Sequence, residues 1–390
     1  MKRGLVPLLT AYVLSQFYRA FLPVLAPVLL QDIGATPDDL ARASGIWFLI
    51  FAAMQIPVGI ALDSIGPRIT AAVLFVFGGA GGALVFGFAQ TPMHVMVAMG
   101  LIGVGCSPVL MASYFILART YSAAVFASLA GAMIGFGSIG NLAGSAPLAW
   151  SVQTFGWRES MFGLAVTSLL VGLMLWAFVR DPDRFGGSER GSVLTLLKMP
   201  MLWPIMIMML VNYAPAAGLR GLWAGPYMAD VFDADVRTIG RVTFVMGAAM
   251  IVGSFMFGPL ERLFQSRKWV IFAGNASGVF ALVALMVLPD QSVFFGTLML
   301  AIIGISGSTF AVLIAHAKAF FPPHLTGRGV TLMNLFGIGG AGIMQFASGP
   351  IYAASKTNTP TDAYVVLFAV FAGMVALGLL FYLRAQDRID

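Results

Sequence analysis

The chain has 390 residues, of which 59% are hydrophobic and only 10% charged, and its mean hydropathy is +0.91. That balance excludes an ordinary soluble globular domain and marks an integral membrane protein. The single cysteine, Cys106, excludes an intrachain disulfide or a cysteine metal cluster. The formal charge of +6 is explained by topology without invoking nucleic acid.

Long apolar runs with short polar breaks predict helices; barrel strands are only about ten residues long and alternate in polarity. Twelve runs succeed one another: residues 5–30, 41–62, 69–89, 93–118, 124–150, 157–179, 200–228, 239–260, 269–288, 293–320, 330–355 and 363–383. The first is too long for a secretory signal, contains Arg19 and lacks a small-residue cleavage site before Gln31 and Asp32, so it reads as a retained helix. An even number of spans puts both termini on one side. That side carries 15 of the 22 basic residues, among them Lys2, Arg3, Arg68, Arg119, Arg180, Lys198, Arg267, Lys268 and Arg384. The opposite loops hold Arg42, Arg158, Arg237, Arg241 and Lys356 together with acidic residues such as Asp32, Asp230 and Asp235. The positive-inside rule then makes both termini cytoplasmic, in the inner membrane of a bacterium.

The longest polar interruption, 181–198, divides the chain into a six-helix bundle over 1–180 and a second over 199–390. Features recur at one interval. Arg19 and Arg220 are 201 residues apart, Asp63 and Glu261 198, and Arg119 and Lys318 199; Gly135, Gly137 and Gly140 return 202 residues later as Gly337, Gly339 and Gly342. A fixed interval of this kind marks an internal duplication. The glycine triplets also spell the dinucleotide fingerprint, but they have no preceding strand and do not open a helix. Inside apolar helices they read as close-packing sites. His94, His316 and His324 are scattered and support neither a metal site nor a hydrolytic triad.

The segment Gly59-Ile-Ala-Leu-Asp63-Ser-Ile-Gly66-Pro-Arg68 resembles the signature loop between helices two and three of the major facilitator superfamily. Gly258-Pro-Leu-Glu261-Arg262, followed by Arg267 and Lys268, is its weaker echo without the second glycine. The resemblance covers essentially the whole chain. It implies an all-α membrane fold of two pseudo-symmetric six-helix bundles, alternating access around a midplane site, and a latch made by Asp63, Gly66, Arg68, Glu261 and Arg119. Helices one and seven line the cavity in that family, which singles out Arg19 and Arg220.

These two arginines are the only charged side chains placed well inside the spans. Each costs about 2.5 to 3.5 kcal/mol at a helix centre and needs compensation. The nearest acids on the same helices, Asp32 and Asp230, are thirteen and ten positions on, roughly 15 to 20 Å at 1.5 Å per residue. The remaining partners include water, backbone carbonyls and a bound anion, and a planar guanidinium fork suits carboxylate, phosphate or sulfonate. The arrangement is similar to the organic-phosphate/phosphate antiporters of the superfamily and, through Tyr18-Arg19-Ala20-Phe21, to its carboxylate and sugar-acid transporters.

The interiors of the spans contain no carboxylate to carry a proton, and His316 reads as interfacial beside Lys318, so exchange or uniport is expected. Tyr18, Gln55, Tyr114, Asn212 and Asn334 are polar candidates for substrate contact, with Trp223 near an outer gate. The 23 methionines raise Cu(I) import as an alternative, through Met246 and Met250 or the Met93-His94-Met96-Met99 cluster. Proton-coupled export of lipophilic compounds is another. The expectation is a monomeric secondary transporter for a small organic anion in the lipid bilayer, not an enzyme, with no cofactor, metal or nucleic acid.

Overall fold

The computed structural model describes residues 2–120, 123–182, 193–322, 325–357 and 359–388, and every element among them is helical. Most of the expected linker and the side chain of Asp63 lie outside the described part. The chain divides into two compact units, Met1–Phe185 with Asp235–Phe244, and Gly186–Ala234 with Val245–Asp390.

Among the described residues ten helices are long and apolar enough to cross a membrane, and the bent pair Gly4–Phe17 and Leu22–Ile33 brings the number to eleven if it is one span. The remaining expected span, 124–150, falls on the helices Ala123–Ala143 and Ala146–Phe155. Along these spans large apolar side chains such as Ile60, Phe77, Phe280 and Phe294 are exposed, as a hydrocarbon solvent allows and water does not.

The first span is not the continuous helix expected from its hydropathy. It bends by 53° between Phe17 and Leu22. Proline explains the site of the break, because its ring clashes with the carbonyl four residues earlier and it offers no N–H. Pro23 places that defect at Arg19. In the second unit, Pro215 lies in the first turn of Ala214–Gly218 and Pro226 in Ala224–Phe232, and between them Leu219–Trp223 winds as a π-helix. Each arginine thus lies where its helix departs from regular α geometry.

The glycine stripes pack helices. A Cβ on Gly140 would collide with the carbonyl of Val13, and one on Gly340 with the carbonyl of Leu210. Both approaches join the fifth helix of a unit to its first. The closest approach in the second copy therefore falls on Gly340, outside the 202-residue triplet register.

The two signature loops are built alike although only one has the glycine. Gly66 adopts φ 111°, and a Cβ there would lie 2.9 Å from the Asp181 carboxylate, which accepts the backbone N–H of Arg68 at 2.7 Å. In the second unit Gln265 takes φ 49°, and Asp387 accepts from Lys268 N at 3.0 Å and from the Ser266 hydroxyl. A carboxylate after the last span of each unit thus caps the N-terminus of its third span, satisfying orphan N–H groups. Glu261 pairs with Arg267 at 2.6 Å, and the Arg119 guanidinium lies 4.0 Å over the Phe115 ring.

Candidate functional site: two arginines at helix irregularities

In the first unit the broken backbone presents Arg19 to the second span. Trp47 and Phe51 are one turn apart on Pro37–Ala53 and therefore share a face. Their rings stack at 5.1 Å with an interplanar angle of 20°. The Arg19 guanidinium carbon lies 5.2 Å from the Trp47 ring and 4.8 Å from the Phe51 ring. Such cation–π contacts contribute about 0.5 to 2 kcal/mol apiece, depending on desolvation. They offset part of the burial cost but accept no directional N–H bond.

Hydrogen-bond donors are therefore in excess. Arg19 Nε and Trp47 Nε1 are both buried with no partner, and Arg19 forms no ion pair among the described residues. Asp32, the nearest acid on the same span, is held by Arg158 at 2.8 Å and by Trp157 Nε1 at 3.1 Å. Leaving a buried charged donor unsatisfied is costly, so the place is suited to a ligand rich in acceptors and carrying negative charge.

The other candidates of this unit are engaged differently. The Tyr18 hydroxyl is buried and shares a 2.8 Å hydrogen bond with Ser168. Gln55 donates through Nε2 to the Phe51 carbonyl at 3.0 Å, at the start of the helix Gln55–Ser64. Tyr114 is half-buried on Val109–Thr120.

In the second unit Arg220 is only 3% exposed, tighter than half-buried Arg19. Its pocket is completed by Gly247: a Cβ at that position would lie 2.5 Å from Arg220 Nη1 and 2.7 Å from Cζ. Trp223, on the same π turn, donates its indole N–H to Ser348 at 2.8 Å and packs on Tyr352 at 4.8 Å. Asp230 accepts from Tyr352 at 3.1 Å and from Tyr364 at 2.5 Å. Asn212 donates at 2.7 Å to both Asn275 and Thr309, forming a buried polar knot between helices. Asn334 is half-buried on Thr326–Ala354.

His316 lies with Lys318 in the last turn of Phe310–Lys318. It is fully buried, Nδ1 lying 2.7 Å from the Tyr382 hydroxyl and Nε2 2.8 Å from the carbonyl of Gln386. A carbonyl only accepts, so Nε2 carries the proton and Nδ1 accepts from Tyr382. Met246 and Met250 pack against Gly304, and His94 accepts from the backbone N–H of Gln90 at the start of Pro92–Cys106.

Several side chains escaped the sequence reading. Trp47 and Phe51 are aromatic residues in an apolar run, and nothing in the sequence ties them to Arg19. Asn275 and Gln345 meet the same criterion as Asn212, a polar residue in an apolar span, and were within reach. Gln345 is 1% exposed with neither amide atom bonded, and the missing side chain at Gly218 makes room for it.

Residues 8–219, more than half the chain and inclusive of Arg19, match the family model described as Major Facilitator Superfamily. The chain belongs to that superfamily. It is thus a multi-pass membrane transporter by family. A probable sulfoacetate transporter, SauU, of Cupriavidus necator is 23% identical over 294 residues, covering 69% of this chain and 68% of the relative. A probable sugar efflux transporter of Helicobacter pylori is 29% identical over 124 residues, and the match spans only 31% of this chain and 30% of that relative's length. Among solved structures, a bacterial homologue of the human lysosomal transporter Spinster, inward-facing and unoccupied, superposes with a TM-score of 0.79 at 17% identity, covering 98% of this chain and 96% of that one. At that identity the likeness speaks for the major facilitator fold alone.

Proposed function

We propose that this superfamily member is a secondary transporter for a small organic anion bearing carboxylate, phosphate-ester or sulfonate groups. It works by alternating access as an exchanger or uniporter, as a monomer in the bacterial inner membrane with both termini cytoplasmic. The observation that carries the reading is the excess of buried donors around Arg19, with no carboxylate among the described residues to neutralise it. Arg220 is the second positive group on which the reading draws. The sulfoacetate relative adds support, since its named cargo is a small anion.

Counterflow in proteoliposomes tests the reading. Radiolabelled anions from carboxylate, phosphate-ester and sulfonate panels are expected to exchange, neutral sugars and Cu(I) to remain outside, and Arg19→Gln to reduce anion flux at least tenfold, since a charge-assisted hydrogen bond is worth about 1.5 to 3 kcal/mol. Anion flux unchanged in Arg19→Gln, or flux of neutral sugar alone, overturns it.

A further inference from the structure

We infer that Trp47 is a substrate-contacting residue whose indole N–H, acting with the Arg19 guanidinium, selects a tetrahedral oxyanion over a planar carboxylate. The inference rests on the anion reading of Arg19 and deepens it by naming the head group. Trp47 is 1% exposed, and its Nε1 is buried with no partner. Tryptophan N–H groups are donors only and normally find an acceptor when buried. In this chain the buried Trp157 and Trp223 both do, donating to Asp32 and to Ser348. Trp47 is different because the group over its ring is another donor, Arg19, whose Nε is equally orphaned. Two orphan donors on adjoining side chains call for one acceptor that satisfies both.

The geometry of the donors bears on the shape of that acceptor. A guanidinium fork takes two oxygens of an anion in one plane, and a carboxylate has only those two. The guanidinium lies over the face of the indole, while the indole N–H leaves from the ring's edge, so the additional donor approaches along another direction. A sulfonate or phosphonate keeps a third oxygen free for it. Phe51, the other ring against the guanidinium, offers no N–H and contributes only the cation–π contact.

Three probes separate these roles because they share one methylene and one carboxylate and differ only at the other end: sulfoacetate, phosphonoacetate and malonate. Each is used as competitor in counterflow by the reconstituted full-length protein. Sulfoacetate and phosphonoacetate are expected to compete at concentrations about tenfold below malonate, the worth of one hydrogen bond to a charged group. Trp47→Phe keeps the stacked ring and loses the N–H; it is expected to remove that preference while leaving malonate within about twofold. Phe51→Leu is expected to weaken all three probes alike. Equal competition by the three in the parent protein, or an equal loss of all three in Trp47→Phe, overturns the role of Trp47 while leaving Arg19 as an anion site. Indifference of the parent to all three anions, with Arg19→Gln unchanged, overturns the anion reading itself. Should Trp47→Phe fail to fold, the parent's ranking of the three probes decides alone, a preference for malonate ending the proposal.

Discussion

The two halves of the molecule answer the same sequence feature, an arginine about 200 residues apart within an apolar span, with two different environments. In the first unit Arg19 lies at a proline-induced break, half-buried against two stacked rings, with hydrogen-bonding capacity in reserve. In the second, Arg220 lies on a π turn, almost fully buried in a pocket that exists only because residue 247 has no side chain. Duplication preserved the placement of charge and not the way it is housed. The first arginine has slack to follow a ligand; the second is fixed by packing, and the two should differ in their tolerance of change.

The sharpest way to break this contrast is to fill the second pocket. Gly247→Val puts carbon atoms where Arg220 now lies, and overpacking costs about 1 to 3 kcal/mol even before the charge is displaced. Transport is expected to fall to background and the thermal unfolding midpoint of the detergent-purified protein to drop. A variant with parent-like flux means that the pocket is not rigid. Next in size is a matched pair. Arg19→Lys retains a cation against the rings and should cost about tenfold in apparent affinity, whereas Arg220→Lys loses the planar shape for which its pocket is closed and should cost about a hundredfold. Counterflow dose curves give both values, and equal losses would erase the distinction between slack and fixed sites.

The smallest effect compares the signature loops. Gly66→Ala forces a residue with a Cβ into φ 111° and against Asp181, so it should destabilise by about 1 to 3 kcal/mol. Gln265→Gly removes a left-handed non-glycine residue and should stabilise by up to about 1 kcal/mol. Thermal unfolding of the two variants is expected to move in opposite directions. A shift of the same sign in both means that the loops are not equivalent turns.

Much of the fold is legible in the sequence because a membrane imposes a one-dimensional rule: apolar runs of fixed length, punctuated by charge. The duplication was readable from Arg19 and Arg220 for the same reason. What escaped depends on contacts between distant positions. Asp181 approaches Gly66 across more than a hundred residues, and Asp387 approaches Lys268 likewise, so the paired helix caps are invisible to local pattern. The second loop lacks the glycine of the first, so its sequence gives no sign that Gln265 takes a left-handed turn. Trp47 looked like ordinary apolar filler, since hydropathy registers its ring and is blind to whether its N–H has a partner. The bend in the first span, by contrast, was signalled by Pro23 and obscured by the uniform hydropathy around it.

The central claim, that a negatively charged cargo completes the donor-rich site at Arg19, is tested most directly by isothermal titration calorimetry on the purified protein. Titration with sulfoacetate is expected to give saturable heat in the parent that disappears in Arg19→Gln, with a neutral sugar giving none in either. Saturable binding of the neutral sugar to the parent, or undiminished sulfoacetate binding by Arg19→Gln, would contradict it.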